Sequence, residues 1–378
     1  MSSNSSEPSR KDEGGSDAPR DVPGAAAGAG AGQRPLEHVA ALTGNRDREL
    51  LDVTLVTALM DLLHCRCVSA CRLVGDAHGQ RWQTRAALEA GDLAPLSDPP
   101  WLELDELPPA QQHPLRLDCV QRAAVVREAQ PHGALTLFPL PGEGGAGGVI
   151  EVASAAALGE ETERLVASIL RIYRNFESLL DYSERDTLTG LLNRKSFDET
   201  FLKFVAAPRP AASLPRGDGE RRDAEQAARR WLGVVDIDHF KSVNDRFGHL
   251  IGDEVLLLVA RLLRSTFRFQ DRLYRFGGEE FVILLHCADE AEALSAFERL
   301  RGNIEGFRFP QVGSVTVSVG FAEARPGDTP ALAFQRADEA LYHAKQTGRN
   351  RVCSHAALLA SGALAPPSAP QTGSIDLF

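Results

Sequence analysis

What this 378-residue sequence lacks excludes several kinds of protein. Its six cysteines are irregularly spaced and too sparse to form a disulfide framework in a chain of this length. The N-terminus carries no apolar core of the signal-peptide kind. The most apolar run, Val255 to Leu263, is too short to span a bilayer and is broken by Arg261. These absences predict a cytoplasmic chain without membrane insertion. Positive charge is scarce as well, since 41 Lys and Arg face 52 Asp and Glu, for a net charge of −11. A field of that sign repels nucleic acid and anionic lipid, so an anionic ligand has to meet a local basic cluster or a metal ion.

What is present is 43% hydrophobic, enough for two domains with cores of their own. Residues 1–35 and 355–378 are rich in Ser, Gly, Ala and Pro and read as disordered tails. Residues 36–158 mix a helical pattern, RELLDVTLVTALMDLLH, with the strand-like runs CVSACRLV, ALTLFPL and GGVIEVA, which predicts a small α/β sensor domain. Residues 159–185 are a predicted helical linker, in which Leu165, Ile169, Ile172, Phe176 and Leu179 repeat at alternating spacings of four and three. Such a seam wants a partner helix. A parallel dimer answers it, and packing on the chain's own domain is the alternative.

From residue 186 to 354 the patterns run helix, strand, helix, strand, strand, helix, strand, helix. After the first helix this is the split β-α-β-β-α-β order, which predicts an α+β fold: an antiparallel sheet with helices on one face. A stretch at about 207–230, rich in Pro and charge, interrupts it before the first strand and reads as a flexible insert.

Inside the strand pair sits RFGGEEFVILL, where Gly277 and Gly278 signal a tight hairpin turn. Glu279 and Glu280 beside it repel one another unless a cation or solvent intervenes. The first strand ends in VVDIDHFKSVND, and Asp236 faces the two glutamates if that strand neighbours the hairpin. A hard-oxygen cluster of this kind suits Mg2+, which takes one or two carboxylates and fills its shell with water and phosphate.

DTLTGLLNR, DIDHFKSVND, RFGGEEF and AKQTGRNRV, in this order and spacing, resemble the GGDEF family of diguanylate cyclases across roughly Asp186 to Cys353. The resemblance implies a palm-like fold and a nucleotidyltransferase that condenses two GTP into cyclic di-GMP and two pyrophosphates. It also implies a homodimer and a need for Mg2+, with Mn2+ as an alternative. By the same resemblance Asp236, the backbone carbonyl of Ile237, Glu279 and Glu280 hold the metal, and Glu279 is also the base. Lys241 contacts phosphate, Lys345 and Arg349 grip the terminal phosphates, and Asn244 and Asp253 read guanine, with His249 lining the site. Arg268 and Asp271 in RFQD match the family's inhibitory site for cyclic di-GMP, to which Arg299 adds a guanidinium.

The front domain resembles a GAF domain in layout, with a small molecule or protein as its unidentified signal. His64, Cys65, Cys67 and Cys71 in HCRCVSAC read as core packing, with the sulfurs on one strand face, rather than as a metal or redox site, because no C-x2-C pair is present. The alternative function is a catalytically silent receptor for cyclic di-GMP or GTP that works through RFQD.

Overall fold

The computed structural model describes residues 33–365, apart from 45–46, 76–78, 100–101, 103, 143–146 and 207–228. The expected N-terminal tail up to residue 32, the expected insert at 207–228 and the chain from 366 onward lie outside the described residues. In the first half, α1 (Gln33–Gly44) and α2 (Arg48–Leu63) precede β1 (Cys67–Val74) and β2 (Arg81–Glu89). Then come α3 (Pro114–Arg122), β3 (Val126–Gln130), β4 (Gly133–Leu140), β5 (Gly148–Ser154) and the long α4 (Glu160–Glu184). The strands form an antiparallel sheet in the order β2-β1-β5-β4-β3. Val68, Ala70, Ile150 and Val152 meet α1, α2 and α4 on one face, while Cys71, Leu73, Trp82 and Val149 pack with Cys119 of α3 on the other.

Two expectations are corrected here. The cysteine sulfurs do not share a face, because Cys65 precedes β1 beyond His64 (φ 46°) and packs on the α2 side, whereas Cys71 packs on the α3 side. Burial pushes the Cys71 and Cys119 thiols up to about 11, which keeps them protonated as core groups.

The second correction concerns α4, which spends its most apolar face on its own domain. Val166, Ile169, Leu170, Tyr173 and Leu180 are buried against the first sheet's core, and Phe176 packs at its edge. Seam residues Leu165 and Leu179 stay outside, 37% and 64% exposed, with Tyr182 at 77%. Charge fastens the same helix further: Tyr173 hydroxyl donates to buried Asp52, which also accepts from Arg85 Nε at 3.0 Å. Arg72 donates to Tyr173 and to Glu177 (2.8 and 2.5 Å), and Arg48 reaches Asp181 at 2.8 Å and Glu184 at 3.4 Å.

The second half runs β6 (Leu192–Asn193), α5 (Arg194–Ala206), β7 (Arg229–Ile237), α6 (Phe240–Phe247), α7 (His249–Thr266), β8 (Arg272–Gly277) and β9 (Glu280–Cys287). It ends with α8 (Glu290–Gly306), β10 (Val317–Glu323), α9 (Pro330–Gln346), β11 (Val352–Ser354) and α10 (His355–Ala360). The sheet order β11-β10-β7-β9-β8-β6 contains the split order at its centre, with β7, β8, β9 and β10 antiparallel to their neighbours. The short β6 and β11 add parallel edges.

Helices cover both faces rather than one. Val235, Ile237, Phe281 and Ile283 pack on α7 and α8, whereas Leu232, Val234, Val282 and Leu284 pack on α5 and α9. The runs GVV and FVILL are apolar at every position because they are buried on both sides. The expected tail from 355 begins instead with α10, capped by Ser354 and held to α9 by His355 Nε2 at 3.1 Å from Glu339.

The α9–β10 contact is the tightest helix–sheet approach at the site. A Cβ on Gly320 would lie 2.0 Å from Leu341 N and 2.2 Å from Ala337 O, both backbone atoms. Gly320→Ala therefore has to push α9 away from the sheet, and a loss of about 2–3 kcal/mol in chemical denaturation is expected. An unchanged denaturation midpoint would contradict this packing.

Candidate active site

The two central strands deliver acids to one end of the sheet. β7 and β9 pair with Val235 opposite Phe281 and Asp236 opposite Glu280, so Asp236 and Glu280 share a face. Ser318 of β10 lies opposite Asp236 on its other side. That face is the one α9 covers, and Lys345 in its last turn places Nζ 2.8 Å from Asp236 Oδ2. Arg349 follows the helix, exposed, at φ 61°.

Glu279 is presented by the hairpin turn. Gly277 pairs with Glu280, leaving Gly278 and Glu279 as a two-residue loop, with Gly278 at φ 53° as primed hairpin turns require. The Glu279 carbonyl lies 3.4 Å from Ile237 N, which ties the turn to the end of β7. Arg275 braces it from behind: Nε and Nη2 donate to Gly278 O at 3.1 and 2.9 Å, and Nη1 donates to Asp186 at 2.9 Å. Asp186 in turn accepts from Thr189 N at 2.8 Å and from its hydroxyl at 2.7 Å. Phe276 stacks on Phe334 of α9 with centroids 5.3 Å apart, fixing the hairpin against the helix.

The electrostatics are those of an under-neutralised acidic site. Burial raises the carboxyls of Asp236, Glu279 and Glu280 above their ordinary range, and the charge of Asp236 adds to the rise in both glutamates. Lys345 opposes the shift in all three, and Arg349 does so at Asp236. Asp338 of α9, which sequence reasoning did not single out, raises Glu280 further.

Among the described residues no three His, Cys, Asp or Glu side chains are grouped so as to hold a metal ion. The fit to a hard divalent cation rests on other grounds: the donors are hard oxygens, their charge is incompletely balanced, and the Lys345 ammonium already stands where a cation would be attracted. A shell completed by substrate phosphate is the form Mg2+ sites ordinarily take.

The remaining candidates fall into two places. Lys241 and Asn244 lie on α6, and His249 and Asp253 lie one turn apart at the start of α7, immediately after β7. Lys241, His249 and Asp253 are exposed and Asn244 is half-buried. Arg268 and Asp271 occupy the turn between α7 and β8, at the opposite end of β8 from the glycines. There Asp271 Oδ2 accepts from Arg268 N at 2.8 Å, and Arg268 Nη2 lies 3.4 Å from Glu292. Arg299 donates to the Thr266 carbonyl at 3.1 Å.

Residues 220–351 match the family described as "Diguanylate cyclase, GGDEF domain". Diguanylate cyclase DgcP of Pseudomonas aeruginosa is 36% identical over 199 residues, covering 52% of this chain and 27% of that protein. Diguanylate cyclase DgcZ of Escherichia coli is 38% identical over 172 residues, covering 45% and 52%. The crystallised GGDEF domain of DgcB from Caulobacter crescentus, solved with c-di-GMP, is 32% identical, with 46% of this chain and 93% of that one covered and a TM-score of 0.38.

The match to the GGDEF domain family covers about a third of the chain. The chain spans from about a quarter to about half the length of these curated relatives. The hairpin brace missed by sequence reasoning had a visible half: Arg275 stands two residues before Gly277. Its partner Asp186 is 89 positions away, and no local pattern joins them.

A carboxyl whose pKa is higher in the folded than in the unfolded chain costs stability once ionised. The cost is absent below the unfolded pKa, grows as pH rises toward the folded one, and is constant above it. In metal-free buffer Glu279→Gln is therefore expected to raise the thermal midpoint at pH 7, with the gain disappearing below about pH 4. A midpoint at pH 7 equal to or below that of wild type would refute the electrostatic reading of the site.

Proposed function

We propose that the chain is a diguanylate cyclase that condenses two GTP into cyclic di-GMP and two pyrophosphates, in the cytoplasm and as a homodimer. The observation that carries this reading is the row of Asp236 and Glu280 across β7 and β9, with Lys345 beside it and Glu279 in the glycine turn. The match of residues 220–351 to the GGDEF domain family supports it.

In this mechanism the 3′-hydroxyl of one GTP attacks the α-phosphorus of the other in line, and pyrophosphate leaves. Two such transfers close the ring. Glu279, whose carboxyl is raised, accepts the hydroxyl proton. Lys345 exchanges Asp236 for the terminal phosphates, which Arg349 also grips, and Lys241 offsets charge that develops on the phosphate. Asn244 and Asp253 select guanine beside His249, because a carboxylate accepts from the base's N–H edge and adenine offers it no such edge. Mg2+ or Mn2+, held by Asp236, the Ile237 carbonyl, Glu279 and Glu280, would supply charge neutralisation and orientation of the phosphates.

Incubation of the full chain with GTP and Mg2+ should yield cyclic di-GMP. Glu279→Gln should lower the rate at least ~100-fold without unfolding the protein. GTP binding without any product would favour the silent-receptor alternative instead.

Each domain holds one GTP, so turnover requires two copies in two-fold apposition. The stripe of Leu165, Ile172 and Leu179, spaced seven apart on α4 with Leu165 and Leu179 exposed and Ile172 half-buried, is the surface for that pairing. Leu165→Glu with Leu179→Glu should give a monomer of very low specific activity, whereas charges at Phe176 would damage the domain core. A fully active monomer by light scattering would end the shared-site picture.

Arg268 and Asp271 form the inhibitory site for cyclic di-GMP, where a guanidinium can meet guanine O6 and N7 and Arg268 gives up Glu292. Progress curves of Arg268→Ala should stay linear where wild type slows, from equal initial rates. Equal slowing, with equal product binding, would dismiss the site. The first sheet and its helices, laid out like a GAF domain, are the sensor for a small-molecule or protein signal.

A further inference from the structure

The loop from α9 to β11 passes through three consecutive left-handed residues: Gly348 at φ 118°, Arg349 at φ 61° and Asn350 at φ 43°. Only the first is a glycine, so the next two hold a conformation that non-glycine residues adopt at a cost of about 1 kcal/mol or more each. Something must hold them there. The N–H of Asn350 donates to Asp238 Oδ2 at 3.0 Å. Asp238 is 6% exposed and stands two residues beyond Asp236, just past the end of β7.

Its carboxylate also accepts from Thr316 Oγ1 at 2.7 Å and from Ser318 Oγ at 2.7 Å, and its N–H donates to Thr316 O at 2.9 Å. Among the described residues it forms no ion pair. Three donors converge on it and none of the three needs to accept, so an acceptor-only side chain is required. A buried carboxylate with no cation is expensive, and its gain is orientation. The turn is pinned on its far side too, by Arg301 and Glu305 on the Asn350 amide at 3.0 and 2.7 Å.

We propose that Asp238 is a positioning residue for the phosphate end of the site: its buried carboxylate locks the left-handed turn that delivers Arg349. The residue touches no substrate. It links the strand end that carries Asp236 to the turn that carries Arg349, so the acidic and cationic halves of the site keep a fixed spacing. This rests on the reading of the site as a GTP site.

The test is equilibrium binding to the full chain, with Mg2+, of a non-reacting α,β-methylene analogue of GTP and of GMP. The proteins compared are wild type, Asp238→Asn, Arg349→Ala and the double variant, with thermal midpoints measured alongside. Asp238→Asn should weaken the triphosphate analogue roughly tenfold and leave GMP within about twofold. The double variant should bind the analogue no more weakly than Arg349→Ala alone, because both changes remove the same contact. Should Asp238→Asn fold poorly, Ser318→Ala loosens the carboxylate more gently and should show a smaller loss, again confined to the triphosphate. Equal losses for both nucleotides, or losses that multiply in the double variant, would overturn the proposal. If wild type itself holds the analogue no better than GMP, the GTP-site reading fails and the proposal falls with it. A wild type that discriminates, with Asp238→Asn discriminating equally well, removes the positioning role alone.

Discussion

The pairing of β7 with β9 is the constraint on which the rest of the site depends. Both strands are sealed between helices on both faces, so a shift of their register by one residue would drive Val282 and Leu284 to the wrong layer. The apolar core therefore fixes the register, and the register places Asp236 opposite Glu280. Acids that would be costly inside either layer stand at the strand ends, where buried Asp236 is paired with Lys345 and the two glutamates are half-buried. Hydrophobic packing, which carries no chemistry, decides where the chemistry sits.

From that row the other groups take their positions. Lys345 reaches Asp236 because α9 lies close on β10, a closeness that a side chain at Gly320 would block. Glu279 reaches the same place because a two-residue loop cannot carry it elsewhere, and Arg275 fixes the loop's carbonyl from behind. The raised carboxyls record the cost of this convergence, and a site that gains a cation and a polyphosphate recovers that cost.

Much of this was legible in the sequence because the relevant signals are local. The split order, the hairpin glycines and the strand ending in Asp236 each follow from periodicity or turn chemistry within a few residues. What was not legible depends on distance along the chain. Burial on both faces was missed because α5 and α9 flank the split unit and their side of the sheet is set by tertiary packing. The edges β6 and β11 are too short to show a period. Strand parity would put the cysteine sulfurs on one face, but Cys65 lies before β1 begins and so outside that parity. In α4 the seam was real as a pattern, but Tyr173 and Glu177, off the seam, decide which side is buried by meeting Arg72.

The same helix also links the two halves of the chain through side-chain contacts. A series of contacts runs from the first sheet through Arg72 and Glu177 to Arg48 and Asp181, then through Arg185 and Gly190 to Asp186, Arg275 and the Gly278 carbonyl. Contiguity alone carries no coupling, which requires at least one element with two arrangements of similar energy. Most links in the series have a single arrangement: Asp52 is buried and saturated, and Arg275 is forked onto one carbonyl and one carboxylate. Arg48 differs, because one guanidinium is shared among Glu177, Asp181 and Glu184 at 3.8, 2.8 and 3.4 Å along a single helix face. That choice of partners lies on one face of α4, whereas Arg275 holds the hairpin that presents Glu279 through one carbonyl and one carboxylate.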